Sequence, residues 1–532
     1  MAIRINNIIL DKEEDTKLLK KKVAKKLRIK EQEIESFKII KESIDARKKD
    51  IIKFNYCIEV KCKNEKNIVN RLKDNNIKFE EDEIIEEFVY GDKKLNHRPV
   101  VIGLGPAGLF ASLTLAKHGY RPIVFERGED VDNRTKTVEE FWKSGKLNLN
   151  SNVQFGEGGA GAFSDGKLTT RIKDKRCAFV LEELVKNGAP EEIMYVGKPH
   201  VGTDILKNVV KNIREEIKSL GGEVHFNSKL EGIKKEDGKL KSIIVNGEEI
   251  PCECLILAIG HSSRDTYEML YDSDILMEQK AFAIGVRIEH PQEIINESQY
   301  GKYANHPRLK AADYRLTYQS EKYNRGIYSF CMCPGGVVVG AASEEGRLVS
   351  NGMSYHARDL ENANSALVVT VGPEDFEGDH PLAGMEYQRK YESLAFKLGG
   401  GDYKAPIQLI GDFLNDRQST KLGSVKPTYK PGYAFKELKE CLPEVVVNTL
   451  KEGIQVFGKR IKGYDMEDGV LTGIETRTSA PVRMPRNENL ESVSLEGFYP
   501  TGEGAGFAGG IISAAVDGIK VSEKIMQKFK ID

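Results

Sequence analysis

Two cysteines, Cys331 and Cys333, are the residues whose type and spacing are best suited to chemistry. They lie one residue apart in the segment FCMCPGG, between strand-like residues, and a Pro-Gly-Gly turn signal follows them, so we expect a hairpin. In an extended strand both side chains point to the same face, with Cα atoms roughly 6.5 to 7 Å apart, near the upper limit for a disulfide. Two interpretations stay open: small buried hydrophobes, or a thiolate that exchanges electrons with a bound redox group or attacks a substrate.

Two arginines form a second candidate site. Arg477 and Arg483 lie in the segment ETRTSAPVRMPRN, which precedes a strand and a glycine-rich motif near the end of the chain. A guanidinium group can hold a carboxylate or phosphate through two parallel hydrogen bonds. The alternative is that both arginines form ordinary ion pairs on the surface.

The elements that would position these side chains begin with a dinucleotide-binding pattern. In the segment PVVIGLGPAGLFASLTLA, a buried strand is followed by Gly103, Gly105 and Gly108 and then by a helix. Pro106 and Ala107, between these glycines, are expected to contact the nucleotide with them. The first glycine makes the tight turn, the second lets the backbone approach a pyrophosphate, and the third lets the helix pack against the strand. The N-terminus of the helix favours the negative charge of a phosphate.

A second strand, PIVFE, ends at Glu126, about 20 residues after the first glycine. A carboxylate at this place can accept hydrogen bonds from ribose hydroxyls. Strand, glycines, helix, second strand and acid occur in the expected order, so the segment predicts a nucleotide cofactor. This pattern alone does not separate FAD from NAD.

A second glycine motif occurs in the C-terminal segment FYPTGEGAGFAGGIISAAVDG. It resembles the motif of glutathione-reductase-type flavoproteins, in which a glycine–acid sequence near the chain end binds the ribityl chain and pyrophosphate of FAD. The resemblance implies FAD contacts from Gly502, Glu503, Gly510 and Ile511. Glu503 stands where aspartate is more usual, which implies a different reach to the ribityl chain. The N-terminus of the following helix would stabilise a reduced, anionic flavin.

The same resemblance implies further FAD contacts along the chain. Arg127 and Arg134, in ERGEDVDNR, would approach the adenosine and phosphates, although Arg134 could also be a surface arginine. Leu230 lies in a strand expected to contact adenine, and Gly260 ends the strand that closes the domain. A glycine-rich loop at 155–171 would line the flavin through Gly159, Ala160 and Gly161, or else be a flexible surface loop.

The segments GKPHVGTD, FCMCPGG, NANSALVV and ETRTSAPVR resemble a bacterial family of uncharacterised FAD-dependent dehydrogenases. The family implies a fold and a cofactor but no settled substrate. The expected fold class is α/β, with a Rossmann-like FAD-binding domain at 96–276 and 485–532. A β-rich cap or substrate domain is expected as an insertion at 277–484. A small α+β domain of ferredoxin-like βαββαβ order is expected at 1–95.

The expected function is that of an FAD-dependent oxidoreductase, which transfers hydride or electrons between the flavin and a small organic substrate. The sequence has neither a second GxGxxG pattern nor the CxxxxC pair of disulfide reductases, so NAD(P)H would have to donate electrons without a dedicated second Rossmann motif. The alternatives are a flavin-dependent RNA-modifying enzyme, with a lysine-rich helix at 20–26 facing the RNA, and a flavin-bound regulatory protein without turnover.

Composition narrows these alternatives. The 532 residues are 40% hydrophobic and 30% charged, with a formal net charge of −1, so no global field draws the chain to nucleic acid or to an anionic membrane. The lysine-rich helix is better explained as a solvated face, because Val23, Ala24 and Leu27 supply its buried side and nearby acidic residues balance the charge. Eight cysteines without CxxC spacing argue against a metal site and a disulfide scaffold. We expect a cytoplasmic protein, and the sequence leaves its oligomeric state open.

Overall fold

The computed structural model describes residues 1–81 and 88–531. It is a mixed α/β protein with one parallel sheet, one large mixed sheet and several smaller sheets. Within these two ranges, no helix combines the length and the apolar character that crossing a bilayer requires.

The N-terminal unit is a four-stranded antiparallel sheet with two helices. Its elements are β1 Ala2–Asp11, α1 Leu18–Leu27, β2 Ile34–Asp45, β3 Lys53–Cys62, α2 Glu65–Leu72 and β4 Ile77–Glu80. The strands lie in the order β2-β3-β1-β4. Helix α1 buries Leu19, Val23 and Leu27, which are four residues apart and therefore share one face. Its lysines lie outside this buried face, where Lys22 pairs with Glu14.

The next segment supplies most of the parallel sheet. Its elements are β5 Val100–Ile102, α3 Pro106–Lys117, β6 Ile123–Phe125, α4 Val131–Ser144, α5 Arg176–Lys186, α6 Thr203–Ser219, β7 Glu223–His225, β8 Leu230–Glu236, β9 Lys239–Val245, β10 Glu248–Pro251, β11 Leu255–Leu257 and α7 Arg264–Asp272. Strands β5 and β11 are short, wholly apolar and buried, as expected of parallel strands that are covered on both faces. Strands β8 to β10 form a separate antiparallel sheet.

The middle segment is built on a sheet of seven strands, here called the cap sheet. Its elements are β12 Glu278–Gln279, β13 Phe282–Pro291, α8 Gln292–Tyr300, β14 Thr317–Ser320, β15 Arg325–Cys333, β16 Val337–Gly340, β17 Ser350–Met353, β18 Asn362–Val371, α9 Ala383–Gly399, β19 Ala405–Leu409, α10 Ile410–Leu414, β20 Tyr433–Phe435, α11 Glu444–Gly458, β21 Val470–Glu475 and β22 Val482–Arg483. The cap sheet has the order β14-β15-β18-β13-β21-β19-β20. Helix α11 packs against several of its strands.

The C-terminal segment returns to the parallel sheet. It contains β23 Phe498–Pro500 and α12 Ile511–Lys528. Strand β23 pairs with β11, which gives the parallel order β23-β11-β5-β6-β7. Helix α12 packs closely on α3, and a Cβ atom added to Gly518 would lie 2.1 Å from the carbonyl oxygen of Ala107. The two glycine motifs, far apart in sequence, are therefore neighbours in the fold.

The predicted hairpin around FCMCPGG is wrong. Strand β15 pairs with β14 and β18, whereas β16 pairs with β17. The pairing of β15 with β18 shifts by one residue between Phe330 and Cys333, and Cys331 has a φ of 43°. This is a β-bulge, in which an extra residue interrupts the alternation of side chains. The expectation that both cysteines share one face of an extended strand is therefore also wrong.

The N-terminal unit is packed against the rest of the molecule. Arg308, which precedes β14, donates hydrogen bonds to carbonyl oxygens of Lys12 and Glu14, and its guanidinium lies 4.0 Å from the ring centre of Phe54. On another side, the N–H of Glu42 donates to the carbonyl of Tyr195 at 2.7 Å. The unit thus contacts both the segment that supplies most of the parallel sheet and the cap segment. The boundaries at 95, 276 and 484 stay predictions.

Candidate active site

A cavity of about 440 Å³ lies between the parallel sheet and the cap sheet. Most of the residues that the sequence predicted for the site line it. They are Gly103, Gly105, Pro106, Ala107, Glu126, Arg127, Gly159, Ala160, Gly161, Leu230, Gly260, Cys331, Arg477, Glu503, Gly510 and Ile511. Five predicted residues do not line it, namely Gly108, Arg134, Cys333, Arg483 and Gly502. The cavity size is within the range of small-molecule and cofactor sites.

The glycines of the first motif differ in what they leave room for. A Cβ atom added to Gly105 would meet only the Cα of Gly159, at 3.7 Å, so the protein itself leaves space beside this residue. A Cβ atom on Gly108 would lie 1.9 Å from the carbonyl oxygen of Gly103. Gly105 therefore provides an open cradle on the cavity, whereas Gly108 allows helix α3 to pack.

Gly502 serves packing rather than contact with a ligand. Its φ is 70°, and an added Cβ atom would lie 2.7 Å from the Cβ of Ala107. Its N–H donates to the carboxylate of Asp517 on α12 at 2.7 Å. The prediction that Gly108 and Gly502 contact the cofactor is therefore corrected. Gly108 packs against the turn at Gly103, and Gly502 packs against Ala107 of α3.

Glu126 ties the first turn to the glycine-rich loop. One carboxylate oxygen accepts the N–H of Leu104 at 2.7 Å, and the other accepts the N–H groups of Gly128 and Gly156, each at 2.9 Å. The carboxylate also lines the cavity. A carboxylate has about four lone-pair sites, so it retains capacity for a hydroxyl donor.

Arg134 is not a ligand contact, and this prediction is wrong. The side chain is fully buried. Its guanidinium donates to five main-chain carbonyls of the loop at 152–159, with distances between 2.6 and 3.2 Å. Arg134 therefore holds the glycine-rich loop in one shape. The sequence showed an arginine near the motif but not that the loop would close around it.

Arg127 lines the cavity and also borders a second, smaller depression. Its two terminal nitrogens donate to Asp265 at 2.9 and 3.0 Å, and its guanidinium lies 4.1 Å from the ring centre of Phe155. The remaining Nε is buried without a protein partner. An acceptor on a bound ligand would satisfy it, which fits a phosphate-containing cofactor.

The C-terminal motif contributes a carboxyl group and a helix end. Glu503 lines the cavity, and burial raises its pKa to about 7, with nearby Lys280 opposing this shift. Gly510, with a φ of 102°, is the residue before α12, and Ile511 is its first residue. Gly510 and Ile511 line the cavity, so the N-terminus of the helix opens onto it.

The cap side of the cavity contains the two cysteines in different environments. Cys331 is half-buried and lines the cavity, whereas Cys333 is fully buried behind it. The Cys333 thiol donates to the carbonyl of Cys331 at 3.3 Å. Arg287, which is also fully buried, donates to the same carbonyl at 3.2 Å and pairs with both oxygens of Glu475 at 3.1 Å.

The two thiols differ in acidity. A hydrogen bond from the Cys333 thiol lowers the pKa of Cys331 below that of an ordinary cysteine, and the positive charges of Arg287 and Lys167 act in the same direction. The same hydrogen bond, together with burial, raises the pKa of Cys333 well above its usual range. The cavity-facing sulfur is therefore the one that ionises first.

The predicted roles of Arg477 and Arg483 are corrected. Arg477 lines the cavity, but its guanidinium is already bound to both oxygens of the fully buried Glu392, at 3.1 and 3.0 Å. Arg264 binds the same carboxylate through two bonds of 2.7 Å. Arg483 is exposed and lies over the ring of Phe507 at 4.9 Å, outside the cavity lining. The guanidinium of Arg477 is therefore already occupied, and Arg483 lies outside the cavity, so neither holds a substrate carboxylate there.

Several polar lining residues were missed by sequence reasoning. They are Asp165, Lys167, His261, Asn351 and Glu475. Asp165 and Lys167 lie within the glycine-rich loop at 155–171, so the loop prediction could have indicated them. His261 follows Gly260; burial and the charges of Arg477 and Arg264 lower its pKa to about 3, so it is neutral. Asn351 and Glu475 come from distant strands, and no local pattern signals them.

Comparison with known proteins gives two family matches. Residues 281–478 match a family described as FAD-dependent protein, C-terminal domain-like, and residues 2–61 match a domain of unknown function. Among solved structures, CtdE in complex with FAD is 12% identical, with a TM-score of 0.29, over 79% of this chain and 81% of that one. A geranylgeranyl bacteriochlorophyll reductase-like protein from Thermoplasma acidophilum is 15% identical, with a TM-score of 0.33, over 80% and 77%.

A full-length relative completes the comparison. An uncharacterized protein of Clostridium beijerinckii is 70% identical over 531 residues, which cover 100% of both chains. The family match in the cap and the open glycine cradle on the cavity make FAD the cofactor. At this identity and coverage, the chain belongs to the same family as the Clostridium beijerinckii protein, a family of FAD-dependent proteins.

Proposed function

We propose that the protein is an FAD-dependent oxidoreductase, a dehydrogenase or reductase that acts on a small organic substrate. One observation supports this most strongly: both glycine motifs, the glycine-rich loop and a cluster of ionisable cap residues border a single cavity. FAD supplies a two-electron redox centre when bound. A cavity that receives both a flavin and polar side chains from another layer is the usual arrangement of an active site.

The residues that line the cavity indicate how FAD would be held. The pyrophosphate would lie against Gly103, Gly105 and the N-terminus of α3, where N–H groups favour an anion. Glu126 would accept the ribose hydroxyls. Arg127 would offer its unpartnered Nε to the adenosine half. These roles correspond to a Rossmann-like FAD domain of the glutathione-reductase type.

The flavin half would lie toward the glycine-rich loop and α12. Gly159, Ala160 and Gly161 present backbone rather than bulky side chains on that side. The N-terminus of α12 would stabilise negative charge on the reduced cofactor. The Glu503 carboxyl, with a pKa of about 7, can hold a proton on a carboxyl oxygen and release it near neutral pH, as a general acid or base must.

The substrate would enter against the cap wall. Asn351 of the cap wall and Lys167 of the facing glycine-rich loop offer hydrogen-bond donors to the substrate, and Phe330 of the cap offers an exposed aromatic ring. Such a surface suits a small polar molecule. We keep NAD(P)H as the proposed electron donor, bound without a Rossmann motif of its own, and a cytoplasmic location. No feature of the cavity favours RNA over a small molecule.

The test uses the purified protein. Heat-released cofactor is identified by mass, and the flavin absorption is followed anaerobically after addition of NADH, NADPH or single metabolites. Bleaching by a pyridine nucleotide would identify the donor, whereas bleaching by one metabolite alone would identify the substrate. A protein that carries FMN or no flavin, or whose flavin no electron donor reduces, would contradict the proposal.

A further inference from the structure

The bulge at Cys331 separates two thiols that a regular strand would keep on one face. At a φ of 43°, the backbone is in the left-handed region that non-glycine residues rarely adopt. This turns Cys331 toward the cavity and leaves Cys333 buried in the cap. Backbone strain of this kind clusters at functional sites. The two residues nevertheless stay adjacent, because the Cys333 thiol lies 3.3 Å from the carbonyl oxygen of Cys331.

The charges around the two cysteines favour ionisation of the Cys331 thiol over that of Cys333. Arg287 lies beneath the bulge with its Nη1 on the Cys331 carbonyl, and Lys167 approaches from the glycine-rich loop. Glu475 and Glu503 face the same thiol and oppose its ionisation, although Glu475 is bound by Arg287. Asp165 faces Cys333, where it adds to the resistance to ionisation. The outcome is a nucleophilic outer thiol and a protonated inner one.

We propose that Cys331 and Cys333 are a reversible dithiol–disulfide pair that reacts with small disulfides entering the cavity. Cys331 is the attacking sulfur and Cys333 the resolving one. A low-pKa, accessible thiol beside a second cysteine is the arrangement found in redox-active pairs. Lys167 and Asn351, which also line the cavity, suit a disulfide that carries carboxylate and amide groups. This inference does not depend on which substrate the flavin oxidises or reduces.

The reaction balances without a further reagent. The Cys331 thiolate attacks one sulfur of the small disulfide, whose S–S bond breaks, and the leaving thiolate takes a proton from water. Cys333 then loses its proton to water, and its sulfur attacks Sγ of Cys331. The mixed disulfide breaks, and the second small thiolate leaves and takes a proton from water. Two protein thiols are oxidised to one disulfide, while one small disulfide is reduced to two thiols.

The experiment uses the full-length protein with its FAD and glutathione disulfide as the probe. After incubation and acid quenching, free thiols are alkylated with N-ethylmaleimide. The protein is then digested, and the mass of the peptide that contains residues 331 and 333 is measured by mass spectrometry. We expect this peptide to be unalkylated and two hydrogens lighter, and to recover both thiols in excess glutathione. Cys333→Ser should stop at a mixed disulfide on Cys331, and Cys331→Ser should not react.

Cys177→Ser is the matched control, because Cys177 is also half-buried but lies on α5 outside the cavity lining. It should leave the reaction unchanged. A wild-type protein that stays fully alkylated, or that accumulates the mixed disulfide without the internal one, would overturn the proposal. Flavin content is recorded for each variant, so that a missing disulfide in a fully flavinated protein counts against the pair and not against the FAD site. Cys331→Ala repeats the test if the serine variant folds poorly.

Discussion

The two walls of the cavity are built in opposite ways. The wall on the side of the parallel sheet consists largely of backbone: Gly103, Gly105 and the loop around Gly159, held in shape from behind by one buried arginine, Arg134. The wall on the cap side presents ionisable side chains, including Cys331 and Glu475. Behind it lie buried ion pairs, in which one carboxylate serves two arginines.

The two walls are therefore suited to different tasks, cofactor binding on one side and substrate selection on the other. A backbone wall gives a pyrophosphate N–H groups and close approach, and it tolerates no bulk. A side-chain wall presents charges and hydrogen-bond donors that can select among substrates. Substitutions that add volume should therefore disrupt the backbone wall, whereas substitutions that remove a charge should disrupt the cap wall.

The largest effect should come from the charge behind the cap wall. Glu392→Gln leaves Arg264 and Arg477 buried without their carboxylate, and breaking a buried ion pair costs about 3 to 5 kcal/mol. Urea unfolding should show this loss. Glu344→Gln is the control, because Glu344 binds Arg264 at the same cluster but is partly exposed. Equal losses for both variants would show that burial of the carboxylate is not what matters.

The second-largest effect should come from replacing Arg134, the buried arginine that holds the glycine-rich loop in shape. Arg134→Lys replaces five N–H donors by three, so at least two loop carbonyls lose their partner at about 1 to 3 kcal/mol each, offset in part by water. We expect a loss of about 2 kcal/mol in unfolding free energy together with a lower flavin content. Arg127→Lys, at a partly exposed ion pair, should cost less. A variant at position 134 with normal stability and full flavin would contradict this role.

Added volume should separate cofactor binding from folding. Gly105→Val should change the unfolding free energy by less than about 1 kcal/mol, because only cavity space receives the side chain, yet it should abolish flavin binding. Gly108→Ala should cost about 1 to 3 kcal/mol through overpacking against Gly103. The measurements are flavin per protein after gel filtration and a denaturant curve. Full flavin in the folded Gly105→Val protein would disprove the assignment of the cradle.

The smallest effect concerns pH. Because its pKa is lowered, Cys331 stays ionised as pH falls through the value of about 8.5 for free cysteine, and it loses the thiolate only at lower pH. The rate of its alkylation by iodoacetamide, followed by peptide mass, should therefore have its midpoint below that of free cysteine. Cys333→Ala removes the hydrogen-bond donor and should raise the midpoint. A midpoint at or above the free-cysteine value would refute the acidity assigned to Cys331.

The backbone wall was largely predictable from sequence, and the cap wall was not. The spacing of glycines between a buried strand and a helix predicts the local strand–turn–helix structure. Gly103, Gly105 and Glu126 were therefore predicted as site residues, and they line the cavity. The role of Glu392 could not be foreseen, because its partners Arg264 and Arg477 lie far from it in sequence. The bulge at Cys331 was missed since register against β18 is a tertiary property.

The position of β23 at the edge of the parallel sheet has a consequence for biosynthesis. Strands β5 and β11 can pair early, but β23, Glu503, Gly510 and α12 follow only after the whole cap segment has been made. Domains tend to fold in order of synthesis, and pairing between distant segments is slow. A nascent chain therefore lacks part of the cavity wall until α12 docks on α3. We expect FAD to be captured only after this docking, so that the supply of the vitamin-derived cofactor at that stage sets how fast newly made protein matures.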